Sequence, residues 1–360
     1  MGEGSGRSRR PGVRRLVLTL YEMPSERPES HRVEVRSREG VALLALVSPT
    51  ASVELCPAAG FSAVSFRVGS TEHLRLPVGL AAYAASTRTG GVPLLHPFAN
   101  RLRGTRWTFG GRTVDPDATP LRHADSKGRP MHGYLLRWPG ASPSDAARSA
   151  WTIATEVDDE GAEIRGSIEW ADHPELMAAF PFPHRLTQRH RLQDARFDVS
   201  VSIDARQVAV PVAFGWHPYL RIEGVAREEL SLALPSLSHV SLDVDGLPIR
   251  RGGRLVEAPR AATRTPLAAQ AFDDLFRLGE SAGNASIDSP GRSTVVLRPG
   301  ANIRFLQVYS PAGADFVAVE PMTAPTAALD DGGEDLPSVP PRGTFTASFS
   351  IEVLPAPRAA

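Results

Sequence analysis

The chain alternates apolar and polar residues in one short run after another. In Arg196–Asp204 the apolar residues Phe197, Val199, Val201 and Ile203 are separated by polar ones. Successive side chains of a β-strand point to opposite faces, so this run predicts a strand with one buried face and one solvated face. The other predicted strands are Ala42–Val47, Ser52–Cys56, Phe61–Val68, Trp151–Val157, Ala162–Trp170, His184–Leu192, Leu230–Leu234, Val240–Val244, Ser293–Leu297, Ile303–Tyr309, Phe316–Glu320 and Thr344–Val353.

So many short strands, with turn residues between them and little helical periodicity, predict an all-β fold with few short helices. A large antiparallel sandwich or barrel fits this pattern. Asp158–Gly161 separates two strands and is predicted to be a hairpin turn. His173–Ala179 is a weak helix candidate with Asp172 as its N-cap. The acidic, proline-rich segment Leu329–Pro341 is expected to be a surface loop.

Residues 15–357 are expected to form a single domain behind a disordered basic tail at residues 1–14, since no repeat and no linker interrupts them. The tail and the apolar run Leu16–Leu20 resemble a secretory signal only superficially. The run is too short and no small-residue cleavage site follows it. No stretch approaches the roughly 20 apolar residues that span a bilayer. We therefore expect a cytoplasmic protein.

Charge and cysteine content narrow the class of partner. The 40 basic and 40 acidic residues cancel, so nothing steers the chain toward nucleic acid or an anionic membrane. Cys56 is the single cysteine, which excludes an intrachain disulfide. We expect a monomer or homodimer that acts on a small molecule.

Two segments place a proton-handling side chain at or near the end of an apolar run. They are Phe214–Tyr219, with His217, and Val317–Thr323, with Glu320. An imidazole and a carboxylate on rigid backbone facing one cleft can act as general acid and general base. Other polar candidates are Asn100 and Arg101 at the end of a turn-rich loop, the pair His132-Gly133, the acidic pair Asp273-Asp274 between aromatic residues, and Gln307.

Together these motifs resemble the aldose 1-epimerase (mutarotase) family. The resemblance rests on Asn100-Arg101-Leu102, His132-Gly133, Gly215-Trp216-His217-Pro218-Tyr219, Asp273-x-x-Phe276, Gln307-Val308-Tyr309 and Glu320-Pro321-Met322-Thr323-Ala324-Pro325, which occur in family order. It implies the galactose mutarotase-like β-sandwich and the interconversion of the α and β anomers of an aldohexose.

The resemblance also implies a role for each site residue. Glu320 would take the proton from the anomeric hydroxyl, and His217 would protonate the ring oxygen. His132 would support the ring oxygen or an adjacent hydroxyl. The sugar hydroxyls would be bound by Arg101, Asp273 and Gln307, with Asn100 as a supporting partner. No metal or redox cofactor is expected, since the chemistry needs none and the sequence holds no GxGxxG opening a helix, no P-loop and no HExxH.

Three other functions stay open at this stage. A hexose-6-phosphate mutarotase would need cations at the rim of the pocket, for which Arg103, Arg106 and Arg137 are candidates. A non-catalytic sugar-binding module would lack the acid or the base. A glycoside hydrolase would use Asp273 and Glu320 as its carboxylate pair. The connection from Tyr309 to Glu320 is shorter than in many members of the family, which leaves the sugar open.

Several further residues have two readings. His96 leads to Arg101 and is a candidate to line the pocket. Trp138 and Trp216 could stack on a sugar or belong to the core. Gln307 could face solvent, and Asp274 is interpreted as a solvated neighbour of Asp273. His184 and His190 share one face of a predicted strand, which we interpret as a solvated face rather than a metal site.

Overall fold

The computed structural model describes residues 30–104, 106–138, 141–142, 145–279 and 283–356. The predicted tail at 1–14 lies outside the described residues, and so does the segment resembling a secretory signal. Among the described residues, no helix has the length and apolar character needed to cross a membrane.

The elements of the first part of the chain are mostly strands. They are β1 (Arg32–Arg38), β2 (Val41–Val47), β3 (Ala51–Cys56), β4 (Ser62–Val68), β5 (Thr71–Glu72), α1 (Leu80–Ala84), β6 (Leu94–Leu95), β7 (Trp107–Phe109), β8 (Arg112–Val114), β9 (Ala141–Ser142), β10 (Asp145–Ser149), β11 (Thr152–Val157), β12 (Ala162–Glu169), α2 (Pro174–Ala179), β13 (His184–Gln193) and β14 (Arg196–Ala205).

The second part continues in the same way. Its elements are β15 (Val210–Pro211), β16 (Gly215–Trp216), β17 (Tyr219–Leu220), β18 (Ser231–Leu234), β19 (Leu237–Val240), β20 (Arg250–Arg251), β21 (Arg254–Leu255), β22 (Glu257–Arg260), β23 (Thr263–Pro266), β24 (Phe272–Arg277), β25 (Ala285–Asp288), β26 (Thr294–Pro299), β27 (Phe305–Ser310), β28 (Val317–Met322), α3 (Ala328–Asp331), β29 (Ser338–Val339) and β30 (Thr344–Leu354).

Three large antiparallel sheets build the fold, beside four two-stranded ones in the described residues. Their strand orders are β1-β2-β3-β4-β5, β11-β12-β13-β14-β30-β26-β25-β18-β23 and β22-β19-β24-β27-β28-β16-β6, with β17 also paired to β28. Isolated bridges between Ala63 and Val92 and between Leu74 and Leu220 join the first and third sheets side by side. The all-β prediction is confirmed.

The nine-stranded sheet packs its inner face against both other sheets. Phe197 meets Phe66 of the first sheet with ring centroids 5.9 Å apart, and Phe349 meets Trp216 of the third sheet at 5.0 Å. Phe197 and Phe349 share a face because Val199, two residues from Phe197, pairs directly with Phe349. The result is a two-layer sandwich, and its core is the interface between the layers.

Most of the predicted strands are confirmed to within two residues at either end. In β13 and β14 the buried and solvated residues alternate throughout, as predicted. The hairpin turn at Asp158–Gly161 is also confirmed, since Val157 pairs with Ala162 across it. The prediction for Val240–Val244 is wrong. Its strand ends at Val240, and a turn follows in which Val244 is 96% exposed.

The predicted helix is confirmed at Pro174–Ala179, but its predicted N-cap and the prediction of a surface loop at Leu329–Pro341 are wrong. The helix α2 starts at Pro174, and His173 rather than Asp172 occupies its N-cap position, without a side-chain hydrogen bond. The segment Leu329–Pro341 is more than a surface loop. Its Asp335 is buried and accepts hydrogen bonds from Arg250 and Arg277, which neutralise its charge.

The solvated-face interpretation of His184 and His190 is wrong as well. Both side chains face the core, His190 between the rings of Phe61 and Phe197, with centroid distances of 5.6 and 5.8 Å. Burial lowers the pKa of His184 to about 4 and the pKa of His190 to about 3, so both are neutral at pH 7. The spacing correctly predicts one shared face, but the face is the inner one.

Candidate active site

Three adjacent strands of the eight-stranded sheet align polar side chains on one face. Gln307 of β27 pairs directly with Glu320 of β28, and Asp273 of β24 pairs with Tyr309 of β27. Directly opposed residues share a face of an antiparallel sheet, and so do residues two apart on a strand. The pairing register therefore brings all four side chains to the same side.

Asn100, Arg101 and His132 come from two loops held together by their backbones. The His132 amide donates to the Asn100 carbonyl at 2.8 Å, and Arg101 forms a bridge with Met131. Asn100 and His132 have φ values of 54° and 60°, in the left-handed region that few non-glycine residues adopt. This conformation turns both loops toward the sheet face.

Gly133 makes the close approach of these loops achievable. Its φ is +67°, and a Cβ placed there would lie 2.2 Å from the His96 carbonyl oxygen. Neither the backbone angle nor the space suits another residue. The His132-Gly133 pair thus combines a polar side chain with the glycine that positions it.

These residues surround one cavity of about 210 Å³. The lining contains all seven residues proposed from sequence as catalytic or sugar-binding, together with five that sequence reasoning did not assign to the site. The complete lining is Thr89, Asn100, Arg101, His123, Met131, His132, His217, Tyr219, Asp273, Gln307, Tyr309 and Glu320. Tyr219 and Tyr309 lie two residues beyond His217 and Gln307, so the strand period could have pointed to them.

His217 and Glu320 are in direct contact at the base of the cavity. The distance from His217 Nε2 to Glu320 Oε1 is 3.2 Å, and the two residues are 4% and 2% exposed. The His132 ring meets the His217 ring edge to face, with centroids 5.5 Å apart. The candidate acid and base are therefore within reach of one small molecule.

Burial shifts the pKa of both groups toward their neutral forms. Desolvation lowers the pKa of His217 to about 3. It raises the pKa of Glu320 well above its ordinary value; the nearby Asp273 adds to this rise and Arg101 opposes it. Desolvation likewise lowers the pKa of His132, helped by the adjacent His217 and His123. Both shifts favour the arrangement in which Glu320 rather than His217 carries a proton shared between them.

The sugar-binding candidates form two small networks. Arg101 donates from Nε to Asp125 Oδ2 at 3.0 Å and from Nη1 to Asn100 Oδ1 at 2.9 Å. Gln307 donates from Nε2 to Asp273 Oδ1 at 2.7 Å. Asp273 is exposed at the cavity mouth, yet partial desolvation by its neighbours raises its pKa. Gln307 is buried, so the solvent-facing reading of this residue is wrong.

The remaining candidates lie elsewhere. His96 is buried behind the site, with its Nε2 3.2 Å from His184 Nε2, and does not line the cavity. Trp138 and Trp216 are buried core residues. Asp274 is half-buried and accepts a hydrogen bond from His239 at 3.0 Å.

In the part of the chain that the structure describes, no group of three or more His, Cys, Asp or Glu side chains could hold a metal ion.

The sandwich and the polar cavity on its eight-stranded sheet agree with the sequence comparison. The chain belongs to the aldose 1-epimerase family, whose model matches residues 64–341. No curated protein sequence matches the chain.

Solved structures share the fold at low sequence identity. A galactose mutarotase-like protein from Clostridium acetobutylicum has a TM-score of 0.75 and 15% identity, over 91% of this chain and 99% of that one. The GalM/aldose epimerase homologue from C. elegans has a TM-score of 0.64 and 11% identity, over 91% of this chain and 100% of that one. A galactose mutarotase related enzyme from Lactobacillus acidophilus has a TM-score of 0.63 and 14% identity, over 91% of this chain and 99% of that one.

Replacing Gly133 tests how the His132 loop is held. Gly133→Ala should lower the free energy of unfolding by at least about 3 kcal/mol, since it adds a steric clash to an unfavourable φ. Gly128→Ala is the matched control, because Gly128 has a φ of +82° but nothing within 4 Å of the added Cβ. Gly128→Ala should lower the free energy of unfolding by only about 1 kcal/mol. Urea denaturation measures both free energies. Equal losses in the two variants would contradict the conclusion that the close approach of the His96 carbonyl requires glycine at position 133.

Proposed function

We propose that the protein is an aldose 1-epimerase, an isomerase that interconverts the α and β anomers of a free aldohexose. The observation that carries this proposal is the buried contact between His217 and Glu320 in a cavity lined by further hydrogen-bonding side chains. Anomer exchange needs one group to remove a proton and another to supply one at adjacent atoms of the same ring. A carboxylate and an imidazole that share a single proton meet that need.

In the proposed reaction Glu320 removes the proton from the C1 hydroxyl, and a C1=O1 double bond forms as the C1–O5 bond breaks. His217 transfers its Nε2 proton to O5, which leaves as the C5 hydroxyl. The products are the open-chain aldehyde, a neutral imidazole and a protonated carboxyl. Because burial favours these neutral side chains, it disfavours the imidazolium and carboxylate from which ring opening starts. Rotation about C1–C2 and the reverse transfers close the ring on the other carbonyl face.

The other lining residues are suited to hold the hydroxyls of the ring. Buried atoms with no hydrogen-bond partner among the described residues include His132 Nδ1, Gln307 Oε1 and Glu320 Oε2. A bound polyol offers donors and acceptors for such atoms, whose burial without a partner is unfavourable. We assign His132 to the ring oxygen or an adjacent hydroxyl. Arg101, Asp273 and Gln307 would bind other hydroxyls, and Asn100 would orient Arg101.

The partners of the nearby arginines favour a free sugar over a sugar phosphate. Arg101 is paired with Asp125. Arg103 and Arg106, two candidates to bind a phosphate, are paired with carboxylates at 2.9 Å. A dianion would have to displace these carboxylates or pay the electrostatic cost of lying beside them. The third candidate, the Arg137 side chain, lies outside the described part of the structure.

Removal of the base tests the catalytic assignment. Glu320→Gln keeps the size of the side chain but cannot accept a proton, so anomer exchange should fall at least about 10²-fold while sugar binding persists. NMR exchange spectroscopy measures the rate of anomer exchange, and calorimetry measures sugar binding. Glu352→Gln, a half-buried residue on the strand β30, should leave exchange unchanged. Near-normal exchange in a folded Glu320→Gln protein would overturn the assignment.

The substrate assignment makes its own prediction. Glucose should have a higher kcat/KM than glucose 6-phosphate, because no unpaired cation among the described lining residues is available to a phosphate. The ratio is measured by NMR exchange on both sugars at limiting concentration. A preference for the phosphate of more than about tenfold, or roughly 1.4 kcal/mol, would replace the free-sugar proposal by a hexose-6-phosphate mutarotase.

A further inference from the structure

Tyr219 makes two contacts with the catalytic histidine. Its ring is stacked on the His217 ring, with centroids 4.3 Å apart and an interplanar angle of 10°. Its hydroxyl lies 3.4 Å from His217 Nε2, the same nitrogen that contacts Glu320. Tyr219 is held on the sheet face because it pairs with Ala318 of β28, two residues from Glu320.

Thr89 fixes the other side of the Tyr219 hydroxyl. The Thr89 Oγ1 lies 2.5 Å from the Tyr219 oxygen, and either atom can donate the hydrogen bond. Thr89 is half-buried at the edge of the cavity. A row of hydrogen-bonding groups therefore runs from Thr89 through Tyr219 to His217.

The contact between His217 and Glu320 has to open when a sugar binds. In the proposed reaction Glu320 reaches O1 and His217 reaches O5, so each group exchanges its partner for an oxygen of the ring. His217 Nδ1 has no hydrogen-bond partner among the described residues. When the Glu320 contact opens, the Tyr219 oxygen remains 3.4 Å from His217 Nε2, above the plane of the stacked imidazole ring.

We propose that Tyr219, supported by Thr89, is a positioning residue that orients His217 by stacking on its ring and stabilises its protonated form before proton transfer. This inference rests on the proposed epimerase function. Before transfer the phenol hydrogen points to Thr89 Oγ1. The phenol oxygen then lies over Nε2 of the stacked ring and presents its lone pairs to the imidazolium, and this attraction is lost after transfer. No proton leaves Tyr219, which burial keeps neutral by raising its pKa.

Kinetics of three variants test the proposal. Tyr219→Phe keeps the stacked ring and removes the hydroxyl, so kcat should fall about tenfold with KM unchanged within about twofold. Thr89→Val should lower kcat about threefold. Because Thr89 acts through Tyr219, the double variant should be no slower than Tyr219→Phe alone. An unchanged kcat in Tyr219→Phe, or losses that multiply in the double variant, would overturn the proposal.

Tyr134→Phe is the matched control. Tyr134 is also a buried tyrosine, its hydroxyl has no partner among the described residues, and it is absent from the cavity lining. Its kcat should equal that of the wild type. A loss equal to that of Tyr219→Phe would show a general effect of removing a buried hydroxyl and would contradict a specific role for Tyr219.

A measurement without sugar separates failure of this inference from failure of the proposed function. The imidazole ¹⁵N resonances of His217 should shift in Tyr219→Phe, and those of the remote His190 should not. An active wild-type enzyme with unchanged His217 resonances in Tyr219→Phe would overturn the Tyr219 role alone. If the wild type exchanges no anomers, the epimerase assignment fails, and with it the catalytic role of Tyr219.

Discussion

The contact between His217 and Glu320 lies where the fold excludes water from both side chains, and its chemistry depends on that exclusion. Glu320 lies on β28, a strand whose six residues are all buried. His217 follows β16, which pairs with β28 and with β6. An exposed imidazole and carboxylate would each titrate near their ordinary pKa values, about 6.5 and 4.3. Buried together they are proposed to hold a single proton, which suits the removal of a proton from O1 of a sugar and the delivery of one to O5.

The charges around the cavity mouth are balanced in pairs. Asp125 accepts hydrogen bonds from Arg101 and from the Arg129 amide, and Arg129 in turn pairs with Asp245. Lys127 also pairs with Asp245 at 2.5 Å. These links fix the loops above Arg101 and leave little net positive charge to attract an anion. This environment supports the proposal that the cavity takes a neutral polyol rather than a phosphate.

Sequence patterns predict most of the strands because a half-solvated strand displays its period in its own residues, as β14 does. They fail where burial does not follow that period. The two adjacent acidic residues of β24 break its alternation, so no strand is predicted there although Asp273 depends on it. The spacing of His184 and His190 shows that they share a face, but their contacts with Phe61 and Trp170 arise from distant parts of the chain.

The geometry of the candidate site likewise depends on contacts between distant parts of the chain. The motif residues can be selected from sequence because each lies in a short recognisable segment. The opposition of Gln307 and Glu320 depends on strand pairing, and the link from Thr89 to Tyr219 joins residues far apart in the chain. These relations come from the register of the folded sheet and cannot be read from local patterns.

The pH dependence of kcat/KM tests most directly whether His217 and Glu320 share one buried proton. Binding of a second proton to the pair follows the lowered pKa of His217, about 3, and loss of the shared proton follows the raised pKa of Glu320. After subtraction of the spontaneous rate, kcat/KM should therefore show no inflection near the ordinary histidine pKa of about 6.5. An inflection near pH 6.5 would show that the imidazole titrates as an exposed group and would contradict the account.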